Sequence, residues 1–209
     1  MHTVLVIGAT RGLGASLAKQ YVSQGARVFA TGRSKDVPES TKDITYIPQI
    51  DVAKEDAGER LAKHMGSVGL DTVIITAGYF GTESFDEPSW EKEVKMYTTS
   101  AIGPVFIVHA LVKAELLKEG SKVILVSSES GSITLRHESE GGGNYGHHAS
   151  KAAENMVGKL LSLDLKEKGV AVGIVHPGFM RTEMTKGVGF DKYWDDGGGM
   201  EVCPMVLGL

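Results

Sequence analysis

The sequence predicts an α/β protein built on one doubly wound parallel sheet with helices on both faces, and three observations carry that prediction. Short continuous apolar runs recur along the chain, as strands buried on both faces require. Stretches of helical period separate them. A glycine-rich turn joins the first run to the first helical stretch.

Residues 3–7 (TVLVI) are the first expected strand. Residues 13–24 follow as a helix, with Leu13, Leu17 and Tyr21 on one face at four-residue spacing, and Gly25 stops it. A second strand is expected over 26–31, a third over 44–50, and a helix over 55–65. Residues 71–76 (DTVIIT) form the fourth strand. Helices are expected over 90–97 and 101–118, and a fifth strand over 122–127. A loop rich in Gly, Ser and His leads to a long helix over 145–168, and a sixth strand covers 170–175. With no internal repeat and no boundary, residues 1–209 read as a single dinucleotide-binding domain of about six strands.

Composition narrows the function classes. A chain of 209 residues can bury one sizeable core. A net charge of −4 without a basic block argues against nucleic-acid binding. No apolar run approaches the ~18 residues of a membrane span, and the N-terminus lacks the pattern of a signal peptide. The lone cysteine, Cys203, forbids an internal disulfide, which favours a reducing, cytoplasmic location. His137, His147, His148 and His176 follow no metal-ligand spacing, so no metal site is expected.

Gly8-Ala9-Thr10-Arg11-Gly12-Leu13-Gly14 follows the first strand and opens the first helix. Glycine permits a tight turn and close approach of backbone to a pyrophosphate, and a helix N-terminus offers free N–H groups and a positive dipole end. Strand, turn and helix in that order make this a dinucleotide site rather than a simple tight turn. NAD sites close the second strand with Asp or Glu. Here the segment is Thr31-Gly32-Arg33-Ser34, and Arg33, joined by Arg11, offers positive charge to a 2′-phosphate. NADP is therefore expected over NAD, the bland alternative being two solvated surface arginines.

Several motifs resemble the short-chain dehydrogenase/reductase family over about residues 3–184, which implies a Rossmann-type fold. Asp51-Val52 matches the family's Asp-Val that faces the adenine, and Ala77-Gly78 matches the end of its Asn-Asn-Ala-Gly motif. Ser127-Ser128 stands where the family has its catalytic serine, with Ser128 favoured. Lys151 lies in Ala149-Ser150-Lys151-Ala152-Ala153 at the place of the catalytic lysine, which also binds the nicotinamide ribose. Pro177, Gly178 and Thr182 match the Pro-Gly-x-x-x-Thr segment over the nicotinamide. The wording of the last two motifs resembles the branch of the bacterial C-factor proteins and their fungal relatives.

Other positions depart. The family's Asn before Ala-Gly is Thr76, the relay Asn is Ser100, and the catalytic tyrosine is His147. Tyr145 does not substitute readily, because it lies six residues from Lys151, about 120° out of phase on a helix. Imidazole titrates near ~6.5, and a neighbouring Lys151 ammonium lowers that. His147 is thus expected to act as a neutral base and to serve poorly as an acid. A nucleophile–base pair of Ser128 and His147 lacks an oxyanion motif and a third member.

Three functions compete: an NADP-dependent oxidoreductase on a small carbonyl or hydroxyl compound, a non-redox dehydratase, isomerase or cyclase using His147, and a catalytically silent nucleotide-binding protein. Phe179, Met180, Met184, Phe190, Tyr193 and Trp194 are expected to form either an apolar lid, suiting an apolar or aromatic substrate, or core. The resemblance implies a homodimer through the helices around 101–118 and 145–168. Residues 195–209 have neither helical nor strand period. The family continues through a further helix and a seventh strand, so a truncated or replaced C-terminus and an uncovered sixth strand are expected; a strand lent by a partner subunit is the alternative.

Overall fold

The computed structural model describes residues 1–201. Its elements are β1 (Thr3–Ile7), α1 (Gly12–Ser23), β2 (Arg27–Thr31), β3 (Ile44–Ile47), α2 (Ala57–Met65) and β4 (Leu70–Ile75), followed by α3 (Trp90–Tyr97), α4 (Gly103–Lys113), β5 (Leu117–Val126), α5 (Tyr145–Asp164), β6 (Ala171–Val175) and α6 (Glu183–Gly187). The six strands form one parallel sheet in the order β3-β2-β1-β4-β5-β6. This is the expected doubly wound fold.

Alternation along each strand builds two cores, because successive side chains point to opposite faces. Leu5, Ile7, Val73 and Leu125 face α2, α4 and α5, meeting Leu61, Ile107, Leu111 and Leu161. Val4, Val6, Val28 and Ile74 face the other way, onto Leu17 and Ala18 of α1. The chain winds outward from β1 to β3 and then restarts at β4 on the other side of β1. Ligands of such sheets bind outside the strand ends at that reversal. Gly8 after β1 and Ala77 after β4 meet there so closely that a Cβ on Gly8 would lie 2.8 Å from the Ala77 amide nitrogen.

Some boundaries differ from expectation. The helix expected over 101–118 is only α4, and β5 begins at Leu117 rather than 122. Leu116 is the reason: it is buried, its N–H bonds back to Leu111 and its carbonyl accepts from Leu70, so tertiary pairing overrides helical propensity. Thr98–Ile102 widens into a π-helical turn between α3 and α4. The third strand stops at Ile47, before Pro48 and a left-handed Gln49 (φ 59°). The long helix ends at Asp164 and tightens into a 3₁₀ turn, Lys166–Lys168.

Among the described residues β6 is an edge strand. The described part of the 195–209 segment does not pair with it. Met200 instead bridges to Met180, donating to Phe179 and accepting from Arg181, each at 2.8 Å. Arg181 ties the same segment through Asp195 (2.8 Å) and the Gly199 carbonyl (2.9 Å). Residues 202–209, with Cys203, lie outside the described part. No described helix is long and apolar enough to cross a membrane.

Candidate active site

The glycine turn is built by backbone constraint. Gly8 (φ 87°) and Gly12 (φ 54°) adopt conformations that side chains resist. A Cβ on Gly14 would strike the Gly8 carbonyl and lie 2.5 Å from Thr76 Oγ1. Thr76 Oγ1 donates to the carbonyls of Ile7 (2.8 Å) and Gly8 (3.1 Å), so this threonine stitches β4 to the turn. Helix α1 starts after an extended Arg11 with no side-chain cap and no acidic residue in its first turn. Its leading N–H groups have no side-chain cap, which suits an anion. Thr10 packs on Gly32, beside Arg33. Arg33 is exposed and forms no ion pair among the described residues, whereas Arg11 pairs with Glu183 at 3.3 Å. Asp51 Oδ1 accepts from the Ala53 amide, and Val52 packs under Gly103 at the start of α4.

The segment after β6 closes over this turn. Thr182 caps α6, accepting from Thr185, and a Cβ on Gly12 would lie 3.9 Å from its Cγ2. Met184 Cε approaches Gly78 in the same way, at 3.6 Å. Gly178 turns with φ 82° against Met200, next to Pro177.

The reactive side chains come from the end of β5 and the start of α5. Ser127 is buried, with Oγ donating to Asn155 Oδ1 at 2.6 Å. Ser128 is half-buried and its Oγ accepts only from Ser130, leaving its hydroxyl hydrogen available. The turn Glu129–Gly131 packs on α5 so tightly that a Cβ on Gly131 would lie 2.6 Å from the Lys151 carbonyl carbon. The turn that follows Ser128 is thereby packed on α5 at Lys151. Lys151 Nζ donates to the Val126 carbonyl (2.9 Å) and to Glu154 Oε2 (2.6 Å).

His147 lies one turn before Lys151. Its ring stacks on Phe80, and Phe80 meets Phe190 edge-on at 5.5 Å. Burial, then the Lys151 charge, then His148 push the imidazole down to about 4. The direction matches the sequence reading, but burial rather than Lys151 is the leading cause. Ser100 Oγ, in the π-turn, is buried and makes no hydrogen bond among the described residues. Tyr145 opens α5 with its ring partly exposed. No described group of His, Cys, Asp or Glu could hold a metal ion.

This geometry has counterparts. The chain matches the short chain dehydrogenase family over residues 2–192. It belongs to that family. A 1-hydroxy-2-glutathionyl-2-methyl-3-butene dehydrogenase from Rhodococcus is 33% identical over 188 residues, covering 89% of this chain and 81% of the relative. A carbonyl reductase from Pseudomonas aeruginosa superposes with a TM-score of 0.76 at 26% identity, over 97% of each chain. A short-chain dehydrogenase/reductase from Burkholderia multivorans with bound NADP superposes with a TM-score of 0.77 at 25% identity, over 88% of this chain and 81% of that one.

Within this short chain dehydrogenase, three site residues escaped sequence reasoning. Phe80 lies in an irregular loop where no period marks it. Glu83, in the same loop, places Oε1 2.6 Å from the Gly146 amide and so caps α5 from outside; only the fold brings the two together. Glu154 reads from the sequence as an odd charge in an apolar stretch, and its partner is visible only on the helix. Of the six expected lid residues, Phe190 joins the ring cluster over His147 and Tyr193 packs on Phe190 at 6.3 Å. Phe179 and Met180 instead hold the 200 region, and the Trp194 ring stands under Arg181.

Proposed function

We propose that the protein is an NADP-dependent oxidoreductase of a small hydroxyl or carbonyl compound, with an atypical catalytic set in which His147 stands at the proton-transfer position. The observation that carries this is the uncapped start of α1 within the glycine turn, roofed by Thr182. Gly8, Thr10, Gly12, Leu13 and Gly14 are read as the pyrophosphate cradle, Arg33 with Arg11 as the 2′-phosphate site, and Asp51, Val52, Ala77 and Gly78 as the walls. The short-chain dehydrogenase from Burkholderia carries NADP, and a 29% identical Escherichia coli relative is named an NADP-dependent 3-hydroxy acid dehydrogenase.

When bound, the cofactor accepts or returns a hydride. The chain's own residues do the rest. Lys151 donates to the nicotinamide ribose, with Pro177, Gly178 and Thr182 covering the ring. Ser128 holds the substrate oxygen. His147, neutral at pH 7, accepts the hydroxyl proton of an alcohol. Ser100 stands at the relay position of the set, with its buried Oγ free of partners among the described residues. The ring cluster of Phe80 and Phe190 suits an apolar or aromatic substrate. The Rhodococcus relative is named for dehydrogenation of a hydroxy compound, in keeping with a hydroxyl or carbonyl substrate. The Ala149–Ala153 and 176–182 motifs favour the C-factor-like branch, and the single cysteine favours the cytoplasm.

Fluorescence titration with NADPH and NADH, followed by assays of alcohol oxidation and ketone reduction, tests the reading. Tighter NADPH binding with turnover in either direction supports it, and His147→Tyr should raise that turnover. Absence of nucleotide binding refutes it. A neutral His147 also fits a second reading, removal of a carbon-bound proton by a dehydratase, isomerase or cyclase; product formed without cofactor turnover would mark that case. Binding without any turnover would mark a silent nucleotide-binding protein.

A further inference from the structure

We propose that Glu154 is a positioning residue of the site: its carboxylate pins the Lys151 ammonium to the Val126 carbonyl and so directs the lysine toward the nicotinamide ribose. This deepens, and rests on, the nucleotide-binding reading above.

The pair is deeply placed. Glu154 is 2% exposed and Lys151 9%. Charged side chains are almost never buried so far without a partner, because taking them out of water is costly. Among the described residues Lys151 is the only hydrogen-bond partner of the Glu154 carboxylate, at 2.6 Å, and the two stand three residues apart on one face of α5. Burial pushes the carboxyl up and Lys151 pulls it back down. The neighbours in sequence are Ala152, Ala153, Met156 and Val157, with Asn155 turned to Ser127, so the buried carboxylate answers Lys151 rather than a polar surface.

That need is legible in the lysine. An ammonium has three donors. One reaches Val126 and one reaches Glu154, which leaves a single hydrogen for the cleft. The other polar groups that the sequence assigned to the site do not accept from it. Ser100 Oγ makes no hydrogen bond among the described residues, and the His147 ring stacks on Phe80. Val126 ends β5 two residues before Ser128. The Glu154–Lys151–Val126 chain therefore fixes the lysine relative to the serine as well.

Two measurements on the full chain test this. The first uses no nucleotide: acetic anhydride labelling of Lys151 followed by mass spectrometry. A paired ammonium keeps its proton and reacts slowly, so Glu154→Leu should label Lys151 several-fold faster, while Glu154→Gln, which keeps an acceptor oxygen, should fall between. The second is NADPH titration. Lys151→Met and Glu154→Leu should each weaken binding roughly tenfold, and the double variant should bind no worse than Lys151→Met alone, because Glu154 acts only through Lys151. Thermal melts report folding, and Glu154→Gln serves if Glu154→Leu unfolds. Unchanged labelling, wild-type affinity in Glu154→Leu, or losses that add in the double variant overturn the proposal. Faster labelling in a chain that binds no NADPH would sustain the anchoring while refuting the nucleotide reading.

Discussion

The ring of Phe80 packs against that of His147 with centroids 4.2 Å apart and planes tilted by 33°. Phe80 comes from the loop after β4 and His147 from the first turn of α5, so the contact joins two ends of the cleft. It shields the imidazole from water on one side, while Lys151 stands one turn further along the same helix.

Stability should therefore fall on mild acidification in a way that depends on His147. The imidazole titrates near ~6.5 unfolded and at about 4 folded. Between those values the unfolded chain binds more protons, so this contribution is complete above about pH 6.5 and is lost as the pH falls toward 4. The full shift corresponds to ~3 kcal/mol, and partial exposure of the ring reduces it to about 1–2 kcal/mol. Urea unfolding at pH 7.5 and 4.5 checks it: the wild type should lose that much more than His147→Phe. Phe80→Ala should move the NMR titration of His147 back toward the ordinary value.

Glu83 holds the start of α5 by accepting from the Gly146 amide, and its backbone exchanges hydrogen bonds with Asn144. The cap residue Asn144 makes no side-chain cap of its own. Glu83→Ala should cost about 1 kcal/mol, as loss of a helix cap does. Chemical denaturation reads the loss, and hydrogen exchange should quicken at Gly146 while α1 is unaffected.

Thr76→Val keeps the shape but removes the hydroxyl that donates to Ile7 and Gly8. The cost should be about 1–3 kcal/mol, that of a buried hydrogen-bonding group left unmatched. Because the lost bonds shape the phosphate turn, NADPH affinity should drop with stability. A variant as stable as wild type would show that the two carbonyls find other donors.

Arg33 is free of ion pairs among the described residues, whereas Arg11 is engaged by Glu183. Arg33→Asp should weaken NADPH roughly 10- to 100-fold while leaving NADH nearly unchanged or tighter. Arg11→Ala should have the smaller effect, since releasing Glu183 offsets part of the lost charge. Titration of both nucleotides against both variants decides between them.

Ile102 at the end of the π-turn, Val105 and Phe106 on α4, and Met156, Leu160 and Leu163 on α5 leave apolar side chains in solvent. Such stripes mark association, and a homodimer through α4 and α5 is expected. Light scattering should give twice the chain mass for wild type and the single mass for Leu160→Glu, with the far-UV circular dichroism unchanged. A monomeric wild type would remove the prediction.

Much of this protein is legible without a structure, and its elements show why. β1, the glycine turn and α1 follow from local rules: β-rich apolar runs, helical period, and backbone angles that only glycine accepts easily. Those rules act between residues close in sequence, so sequence order alone reveals them. The end of α4 was misjudged because Leu116 obeys the core rather than its helical neighbours. The replacements at Thr76, Ser100 and His147 were visible as departures, and so was the downward shift of His147; that burial leads this shift, and what Thr76 holds, were not.

The sequence by itself determined the α/β sheet, the order of its elements and the residues available to a nucleotide. Only the tertiary structure decided what the polar side chains do with one another. Thr76 binds the turn, Glu83 caps a helix 63 residues away, Phe80 shields His147, and Met200 returns to Met180 rather than to β6. Each of these depends on distances set by the packing of distant segments. Burial then fixes the protonation of His147, because the cost of charging an imidazole depends on how much water the fold leaves beside it.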